Sequence, residues 1–374
     1  MARTYFCPRC LERITEEQVQ YHDRHGNTVD KPRLAYARGG REWLEAFWRG
    51  APEPLYRIDP RARADTFARG VTARCPQGHR IPEHAFDVDS IVIAMVGESA
   101  AGKTVYLGTL LEHLDRGRLL PYLDFAPDEH SARLQDQVFG EFYRNNRVPH
   151  GTARSRDEFQ REAITHSATS DGQLQFYVSF FDASGEENTR EDIGTRNQFL
   201  FAADVVMHFL TPEVLGLAKR TAHRRPDQLQ QWHVTNRALH AATNASEPSS
   251  HAAVIVPKSD DIDPDSLGML KDARAELDYG SGLTLHRAYD IITQDSHYIR
   301  DLLRQREDGR VLVDRIEGHH RSTSYHLVSA TGGPAEEQTN RFPRRRPQRV
   351  LDPLLASLVS VDALSAREGR RALR

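Results

Sequence analysis

A single eight-residue motif constrains this chain more than any other feature of its sequence. Residues 97–104 read Gly-Glu-Ser-Ala-Ala-Gly-Lys-Thr, so two glycines enclose four residues and Lys-Thr follows the second glycine. A nearly continuous apolar run over residues 90–96 precedes the motif and predicts a buried strand. A helix-forming run from Lys103 to about Leu114 follows it. Together they predict a loop whose backbone N–H groups surround a phosphate at a helix N-terminus.

The residue types in this motif each have a chemical reason. Glycine lets the backbone pass close to a phosphate oxygen. Lys103 is expected to reach the β- and γ-phosphates of a nucleotide, and the Thr104 hydroxyl is expected to bind Mg²⁺. The residues expected to line the phosphates are Gly97, Ser99, Ala100, Ala101, Gly102, Lys103, Thr104 and Val105. A glycine turn with a chance Gly-Lys-Thr is the competing interpretation, and the flanking strand and helix argue against it.

Further apolar runs downstream of the motif predict the fold class. Strand candidates lie at residues 173–181, 204–210, 252–256 and 325–328. Residues 159–165 are the expected antiparallel partner of the first of these, and helical patterns cover roughly 227–242 and 265–305. Strands that alternate with helices predict a three-layer α/β/α sandwich with a mostly parallel sheet.

Length and composition set the organisation around this domain. The 374 residues suffice for two or three compact units. We expect an N-terminal cysteine-containing module over 1–88 and an α/β domain over 89–335 with a polar helical insertion near 219–250. Residues 336–374 then form an arginine-rich tail with a closing helix. The arginine cluster comprises Arg341, Arg344, Arg345, Arg346 and Arg349.

Charge and hydropathy give no support to several function classes. The formal net charge of −3 gives no overall attraction to nucleic acid or to an anionic membrane. No apolar run reaches the 18 residues that a bilayer span needs. The first residues lack the apolar stretch of a signal peptide, so we expect a cytoplasmic protein.

The cysteines and one histidine predict a metal site. Cys7-Pro-Arg-Cys10 and Cys75-Pro-Gln-Gly-His79 are two knuckle-like turns that use every cysteine in the chain. A Cys₃His set fills a tetrahedral Zn²⁺ site completely, so the metal would be structural and not catalytic. Competing fourth ligands are His22, His25 and His84. Free thiols or a redox pair are the alternative to zinc.

Two motifs at strand ends suit Mg²⁺ and the γ-phosphate. Asp182-Ala-Ser-Gly185 follows a strand candidate, with Asp182 expected in the Mg²⁺ shell and Gly185 expected to offer its N–H to the γ-phosphate. Asp-x-x-Gly is a short and common pattern, so its assignment to Mg²⁺ and the γ-phosphate rests on its position directly after a strand. Thr152, in a polar loop, is expected to supply a further Mg²⁺ ligand, and Thr165 competes with it.

Two later motifs resemble the base-reading elements of GTPases. In Val256-Pro-Lys-Ser-Asp260, Asp260 would accept from the N1 and N2 donors of guanine, which adenine lacks, and the stem of Lys258 would cover the base. Pro257 stands where Asn or Thr is usual and contributes no polar side chain. Ser329 and Ala330 resemble the Ser-Ala motif whose backbone amide meets guanine O6. Lysine is rare, and two of the five lysines, Lys103 and Lys258, fall in these motifs.

The five elements stand in the order expected for the translation-factor-related class of P-loop GTPases, and residues 90–335 resemble that class. With the N-terminal cysteines, the layout is similar to bacterial double-GTPase proteins, which occur in predicted conflict or signalling gene clusters. The resemblance implies GTP or GDP with Mg²⁺, a protein partner controlled by the bound nucleotide, and pairing through nucleotide faces into a homodimer. It assigns hydrolysis to Lys103, Thr152, Gly185 and Glu186.

Two departures from small GTPases predict slow hydrolysis. Glu186 stands where they often carry glutamine, and Ser99 stands where they carry a glycine near the γ-phosphate. A partner, or an arginine in cis such as Arg154, Arg156 or Arg196, could supply the missing charge. Three alternatives stay open. They are a nucleotide-bound scaffold with little hydrolysis, an ATPase or kinase that shares the loop, and a nucleic-acid-binding P-loop ATPase that uses the cysteine module and the arginine tail.

Overall fold

The structure is a computed structural model, and its chain forms two compact units, Met1–Ser90 and Ile91–Arg374. The residues that the structure describes are 4–10, 12–30, 33–35, 56–58, 60–98, 100–120, 122–149, 163–182, 202–215, 217, 250–263, 267, 277, 279 and 282–364. The expected helical insertion near 219–250 lies outside them, except for Ser250.

The described part of the first unit consists of short strands, one α-helix and a 3₁₀ turn, Glu16–Gln18. The strands are β1 (Thr4–Cys7), β2 (Glu12–Thr15), β3 (Gln20–His22), β4 (Thr28–Val29), β5 (Arg33–Ala35), β6 (Tyr56–Ile58), β7 (Thr72–Arg74) and β8 (Arg80–Ile81), and the helix is α1 (Pro60–Ala68). β1 pairs with β2, β5 with β6, and the order β4-β3-β7-β8 forms an antiparallel sheet. The turns after β1 and after β7 carry the cysteine motifs.

The second unit is built on a seven-stranded sheet with the order β10-β11-β12-β9-β13-β14-β15. The strands are β9 (Asp89–Gly97), β10 (Asp124–Pro127), β11 (Ile164–Ser170), β12 (Gln173–Asp182), β13 (Val205–Phe209), β14 (His251–Val256) and β15 (Ser322–Leu327). The described helices are α2 (Lys103–Asp115), α3 (Glu129–Asn145), α4 (Leu285–Arg304), α5 (Glu307–Glu317) and α6 (Asp352–Ser360). β9, β13, β14 and β15 run parallel, which confirms the predicted α/β fold.

Burial on both faces explains why the central strands have continuous apolar sequences. Every residue of β13 and β14 is buried, and in β9 only Asp89 is exposed. One core cluster packs alternate residues of these strands against the leucines of α2 and α6. A second cluster packs the opposite residues against α4 and α5. Helices on both faces make the three layers, and the parallel strands bring their carboxyl ends to one edge of the sheet.

The predicted antiparallel partner of β12 was placed too early in the chain. The partner is β11, which begins at Ile164, and residues 159–162 lie outside the described residues. Its sequence, Ile-Thr-His-Ser-Ala-Thr-Ser, is polar enough to resemble a loop. Two of its polar side chains find partners in the fold: the Thr165 hydroxyl hydrogen-bonds that of Ser179 on β12 at 2.9 Å, and His166 Nε2 contacts Asp115 at the end of α2 at 3.4 Å. The hydrogen bond to Ser179 occupies the hydroxyl of Thr165, which was the alternative to Thr152 as a Mg²⁺ ligand.

β10 and α3 were not predicted from the sequence, although α3 has a recognisable start. Asp128 caps this helix by accepting a hydrogen bond from the Ser131 N–H at 2.7 Å. Leu134 and Phe142 lie on its buried side, spaced as expected for one helix face. The capping residue and this spacing were the available signals.

Acid stability should depend on the buried His251 at the start of β14. Its ring hydrogen-bonds the Ser322 and Ser324 hydroxyls at 2.9 and 3.0 Å. Burial lowers the pKa of His251 to about 3, and the nearby His320 and Arg321 add to the effect. An unfolded histidine protonates near pH 6.5. The unfolded state therefore binds the extra proton below about pH 6.5, and stability falls as the pH drops towards about 3.

We expect His251→Gln to reduce the pH dependence of the free energy of unfolding by about 1.4 kcal/mol per pH unit. Urea denaturation at several pH values between about 6 and 5 measures this slope. His297→Gln, at an exposed position of α4, is the matched control for the loss of a histidine. An unchanged slope in His251→Gln would contradict the assignment of this pH dependence to His251.

Candidate functional site

The glycine loop connects β9 to α2 at the edge where the parallel strands end. Gly102 caps α2 with a φ of 91°, a left-handed conformation that side chains rarely adopt, and a Cβ there would meet no atom within 4 Å. Ala100 also has a positive φ, of 61°. The loop therefore bends sharply around open space at the helix N-terminus, where an anion is favoured. Ser99 lies outside the described residues.

Lys103 brings a buried positive charge to this loop. Its ammonium donates to the carbonyl oxygens of Gly97 and Glu98, both at 2.9 Å, and the residue is only 6% exposed. Burial lowers the pKa of Lys103, while the carboxylates of Asp182 and Glu98 act in the opposite direction. The loop thus holds a cation beside the space that Gly102 leaves open.

Thr104 and Asp182 meet next to this lysine. The Thr104 hydroxyl donates to Oδ2 of Asp182 at 2.6 Å, which places the end of β12 against the first turn of α2. Asp182 is 9% exposed, and its Oδ1 has no hydrogen-bond partner among the residues that the structure describes. Burial raises the pKa of Asp182, and Lys103 and Thr104 oppose the rise. A hydroxyl beside a carboxylate with a spare oxygen is a donor set that fits a hard divalent cation.

Three residues predicted for the same site, Thr152, Gly185 and Glu186, lie outside the described residues. Their assignments to Mg²⁺, the γ-phosphate and the attacking water therefore stay predictions. Val105 lies in the first turn of α2, directly after Thr104.

The two predicted base-reading loops lie together at the same edge of the sheet. Lys258 precedes a 3₁₀ turn, Ser259–Asp261, that follows β14 and contains Asp260. The Ser329 hydroxyl donates to Oδ1 of Asp260. The Ser329 hydroxyl oxygen in turn accepts from the Gly332 N–H at 2.8 Å. Asp260 is thus oriented by the loop that follows β15.

The loop after β15 also contacts the phosphate-loop helix. The Thr109 hydroxyl of α2 donates to the Ala330 carbonyl at 3.1 Å. The Ser259 N–H donates to the Val328 carbonyl at 3.1 Å, which joins the two base-reading loops through their backbones. The structure therefore connects the phosphate-loop helix and both predicted base-reading motifs by direct hydrogen bonds.

Glu98 is a polar residue of the loop to which the sequence assigned no role. It is 5% exposed, and its Oε1 accepts from the Thr211 hydroxyl at 2.9 Å, just after β13. Burial raises the pKa of Glu98 and the neighbouring Glu213 adds to the rise, while Thr211 and Lys103 oppose it. A carboxylate inside a phosphate-binding loop was the visible signal, but its partner Thr211 is more than a hundred positions away.

In the first unit, Cys7, Cys10, Cys75 and His79 form a group that could hold a metal ion. Their ligand atoms all lie within 4.8 Å of one another. Cys10 Sγ is 3.8 Å from Cys75 Sγ, and His79 Nδ1 is 3.7 and 3.5 Å from the sulfurs of Cys7 and Cys75. Burial raises the pKa of the Cys7 and Cys10 thiols. Thiolates in such surroundings need a cation nearby, which suits a metal site.

Two of the competing histidines make other contacts. The His84 ring pairs with Asp87 at 2.9 Å, and His22 Nδ1 contacts the Gly26 carbonyl at 3.1 Å. His25 is exposed. The metal-ligand group found among the described residues contains none of these three.

The glycine loop, its lysine and the threonine–aspartate pair define a P-loop nucleotide-binding protein. A model of the Double-GTPase 2 family matches residues 91–295, more than half of the chain, so the chain belongs to this family. The match confirms the resemblance to double-GTPase proteins and supports GTP as the nucleotide. It ends before Ser329. No curated protein sequence matches the chain significantly. Within the part of the chain that the structure describes, no helix is long and apolar enough to cross a membrane.

Proposed function

We propose that this protein binds GTP together with Mg²⁺, hydrolyses it slowly, and uses the bound nucleotide to control a protein partner. The observation that carries the proposal is the gathering of Lys103, Thr104 and Asp182 around the glycine loop of a GTPase-family domain. A buried cation, a hydroxyl and a carboxylate at a helix N-terminus are the groups that a nucleoside triphosphate and its metal require.

Each of these residues has a defined task. Lys103 would exchange its two loop carbonyl acceptors for phosphate oxygens, which keeps its charge satisfied. Thr104 and Asp182 would hold Mg²⁺ with Thr152. When bound, Mg²⁺ neutralises charge on the β- and γ-phosphate oxygens. Gly185 would donate its backbone N–H to the γ-phosphate and release it after hydrolysis.

Slow hydrolysis follows from the residue proposed to align water. Glu186 carries a negative charge that repels the γ-phosphate, and Ser99 replaces a glycine near it. Arg154, Arg156 or Arg196, or a partner's arginine, would supply the compensating charge. The runner-up is a scaffold that holds nucleotide without hydrolysing it, and the same Glu186 favours that alternative.

The partner is proposed to be a protein, in the cytoplasm and in a bacterial conflict or signalling system, with a homodimer as one form of such pairing. Nucleic acid is a weaker candidate, because two of the five arginines in the tail cluster are engaged inside the fold. Arg345 pairs with Glu112, and Arg349 pairs with Asp295 and Asp352. They do not contribute to an open basic surface of the kind that binds phosphate backbones.

Guanine selectivity should depend on the acceptor character of Asp260. Asp260→Asn replaces one acceptor oxygen with a donor amide, so we expect GTP affinity to fall by about tenfold or more. Binding of xanthosine triphosphate should increase, because its base carries a carbonyl where guanine carries the amino group. Competition with a fluorescent nucleotide measures both changes.

Asp261→Asn is the matched control, since Asp261 is the exposed neighbour in the same 3₁₀ turn. Wild-type protein that binds GTP and ATP equally, with no effect of Asp260→Asn, would overturn the guanine assignment and leave a general P-loop NTPase.

Hydrolysis should be measurable but slow in a single-turnover experiment. We expect a rate constant below about 0.01 s⁻¹ for the wild type in Mg²⁺. Asp182→Asn should lower it at least about tenfold, because a carboxylate ligand of the metal is lost. Asp171→Asn, in the turn between β11 and β12, should leave it unchanged. Nucleotide that stays bound and intact for many hours in the wild type would favour the alternative of a scaffold that holds nucleotide without hydrolysing it.

We further propose that Cys7, Cys10, Cys75 and His79 hold a structural Zn²⁺. Purified protein should contain about one equivalent of zinc by mass spectrometry. His79→Ala should lose zinc to a chelator at least about tenfold faster than the wild type, because one of four ligands is missing. His25→Ala, at an exposed histidine outside the cluster, is the control. Protein that folds without metal and with all three cysteines as free thiols would refute the assignment.

A further inference from the structure

The loop after β15 is covered by a segment that the family match does not include. We call residues 340–349 the strap; they lie between this loop and α6. At one end, the Phe342 N–H donates to the Asn146 carbonyl at 2.9 Å and the Val148 N–H donates to the Asn340 carbonyl at 3.0 Å. At the other end, Gln348 and Ser329 exchange backbone hydrogen bonds of 2.7 and 3.1 Å. The strap therefore joins the segment after α3 to the base-reading loop.

Arg345 fastens the middle of the strap to the phosphate-loop helix. Its guanidinium makes two hydrogen bonds to the Glu112 carboxylate of α2, one of them at 2.9 Å. Nε donates to the Asn146 side chain at 2.8 Å, and the guanidinium lies 4.2 Å from the centre of the Phe142 ring. The side chains of Arg345 and Glu112 are only 10% and 7% exposed. A bidentate guanidinium–carboxylate pair of this kind fixes the relative position of the two side chains and also neutralises their charges.

The strap also passes unusually close to the base-reading loop. Gly332 has a φ of 76°, and a Cβ there would lie 2.6 Å from the Arg346 carbonyl oxygen. The Arg346 N–H donates to the Thr331 carbonyl at 2.8 Å. The two backbones are therefore in direct contact at a position that only glycine suits. Movement of the strap would shift residues 329–332 with it.

The far end of the strap is anchored independently. Arg349 pairs with Asp295 of α4 at 2.7 Å and with Asp352 at the start of α6. The Tyr106 hydroxyl of α2 donates to the Val350 carbonyl at 3.1 Å. With this end held by Arg349, Arg345 is the side chain that sets where the middle of the strap lies on α2.

These contacts form a continuous path from α2 to the residue that reads the base. The Glu112 carboxylate accepts from Arg345, and Gln348 of the strap hydrogen-bonds the Ser329 backbone. The Ser329 hydroxyl in turn donates to Asp260. Pro257 can donate no hydrogen bond to this attachment, because it has neither a backbone N–H nor a polar side chain.

We propose that Arg345 is a positioning residue for guanine selectivity, which it controls through the strap without touching the nucleotide. The proposal rests on the proposed function, in which Asp260 accepts hydrogen bonds from guanine.

The test compares affinities for GTP and for inosine triphosphate, whose base lacks the amino group that Asp260 would bind. The wild-type protein should prefer GTP by about tenfold or more. Arg345→Met should reduce this preference at least about threefold, while inosine triphosphate binding changes less. The ratio of two affinities is unaffected by the fraction of protein that is folded, so general destabilisation cannot imitate the result.

Two matched controls separate the strap from its surroundings. Arg344→Met removes the exposed neighbouring arginine of the strap and should keep the wild-type ratio. Arg116→Met removes the other arginine that pairs with Glu112, at 2.6 Å, and should also keep it. Arg345→Lys retains the charge and should give an intermediate ratio, which keeps the test available if Arg345→Met fails to fold.

The outcomes are distinguishable. A wild-type ratio near one refutes the guanine-reading role of Asp260. A wild-type preference that both Arg345 variants retain overturns the role of the strap and leaves the proposed function intact. An equal loss in Arg116→Met also overturns it, because the effect would then come from Glu112 and not from the strap.

Discussion

The candidate site depends on how the positive charge of one buried lysine, Lys103, is compensated. An ammonium group out of water is costly unless its donors are satisfied and an opposite charge lies nearby. Lys103 meets the first condition through two loop carbonyls and the second through Asp182 and Glu98. The loop must therefore curl back over its own helix, which the left-handed Gly102 allows. β9, β12 and α2 have to converge within a few ångströms for this balance to exist.

The two units are stabilised in different ways. The second unit buries both faces of its central strands under helices, so a large apolar core holds the loops that carry the site. The first unit has strands of two to four residues, which are too short to bury a comparable core. Its two cysteine turns meet at one point, where a metal would link β1 to β7 and β8. Binding of the proposed metal would contribute directly to the folding of such a small unit.

Most of the parallel sheet could be predicted from the sequence because its strands are buried on both faces. The runs that became β9, β13 and β14 are almost entirely apolar, and their boundaries were predicted to within one residue. β11 was misplaced because most of its residues are polar and one of them, Thr165, finds its partner Ser179 on the next strand. β10 was missed because its four residues, Asp-Phe-Ala-Pro, are too few to show an alternating pattern. The glycine loop was recognisable because its chemistry is local. The placement of the Ser329 hydroxyl on Asp260 depends on tertiary contacts, which no local pattern contains.

The position of the strap late in the sequence affects the order in which the parts of the second unit fold. Arg345 and Glu112 are 233 positions apart, and Ser329 and Asp260 are 69 apart. Contacts with such separations form late, since the intervening chain must first be ordered. During synthesis from the N-terminus, the phosphate loop and α2 leave the ribosome long before the strap. A growing chain can therefore present its phosphate loop before the strap is available, and the proposed guanine selectivity would arise only when this last segment docks.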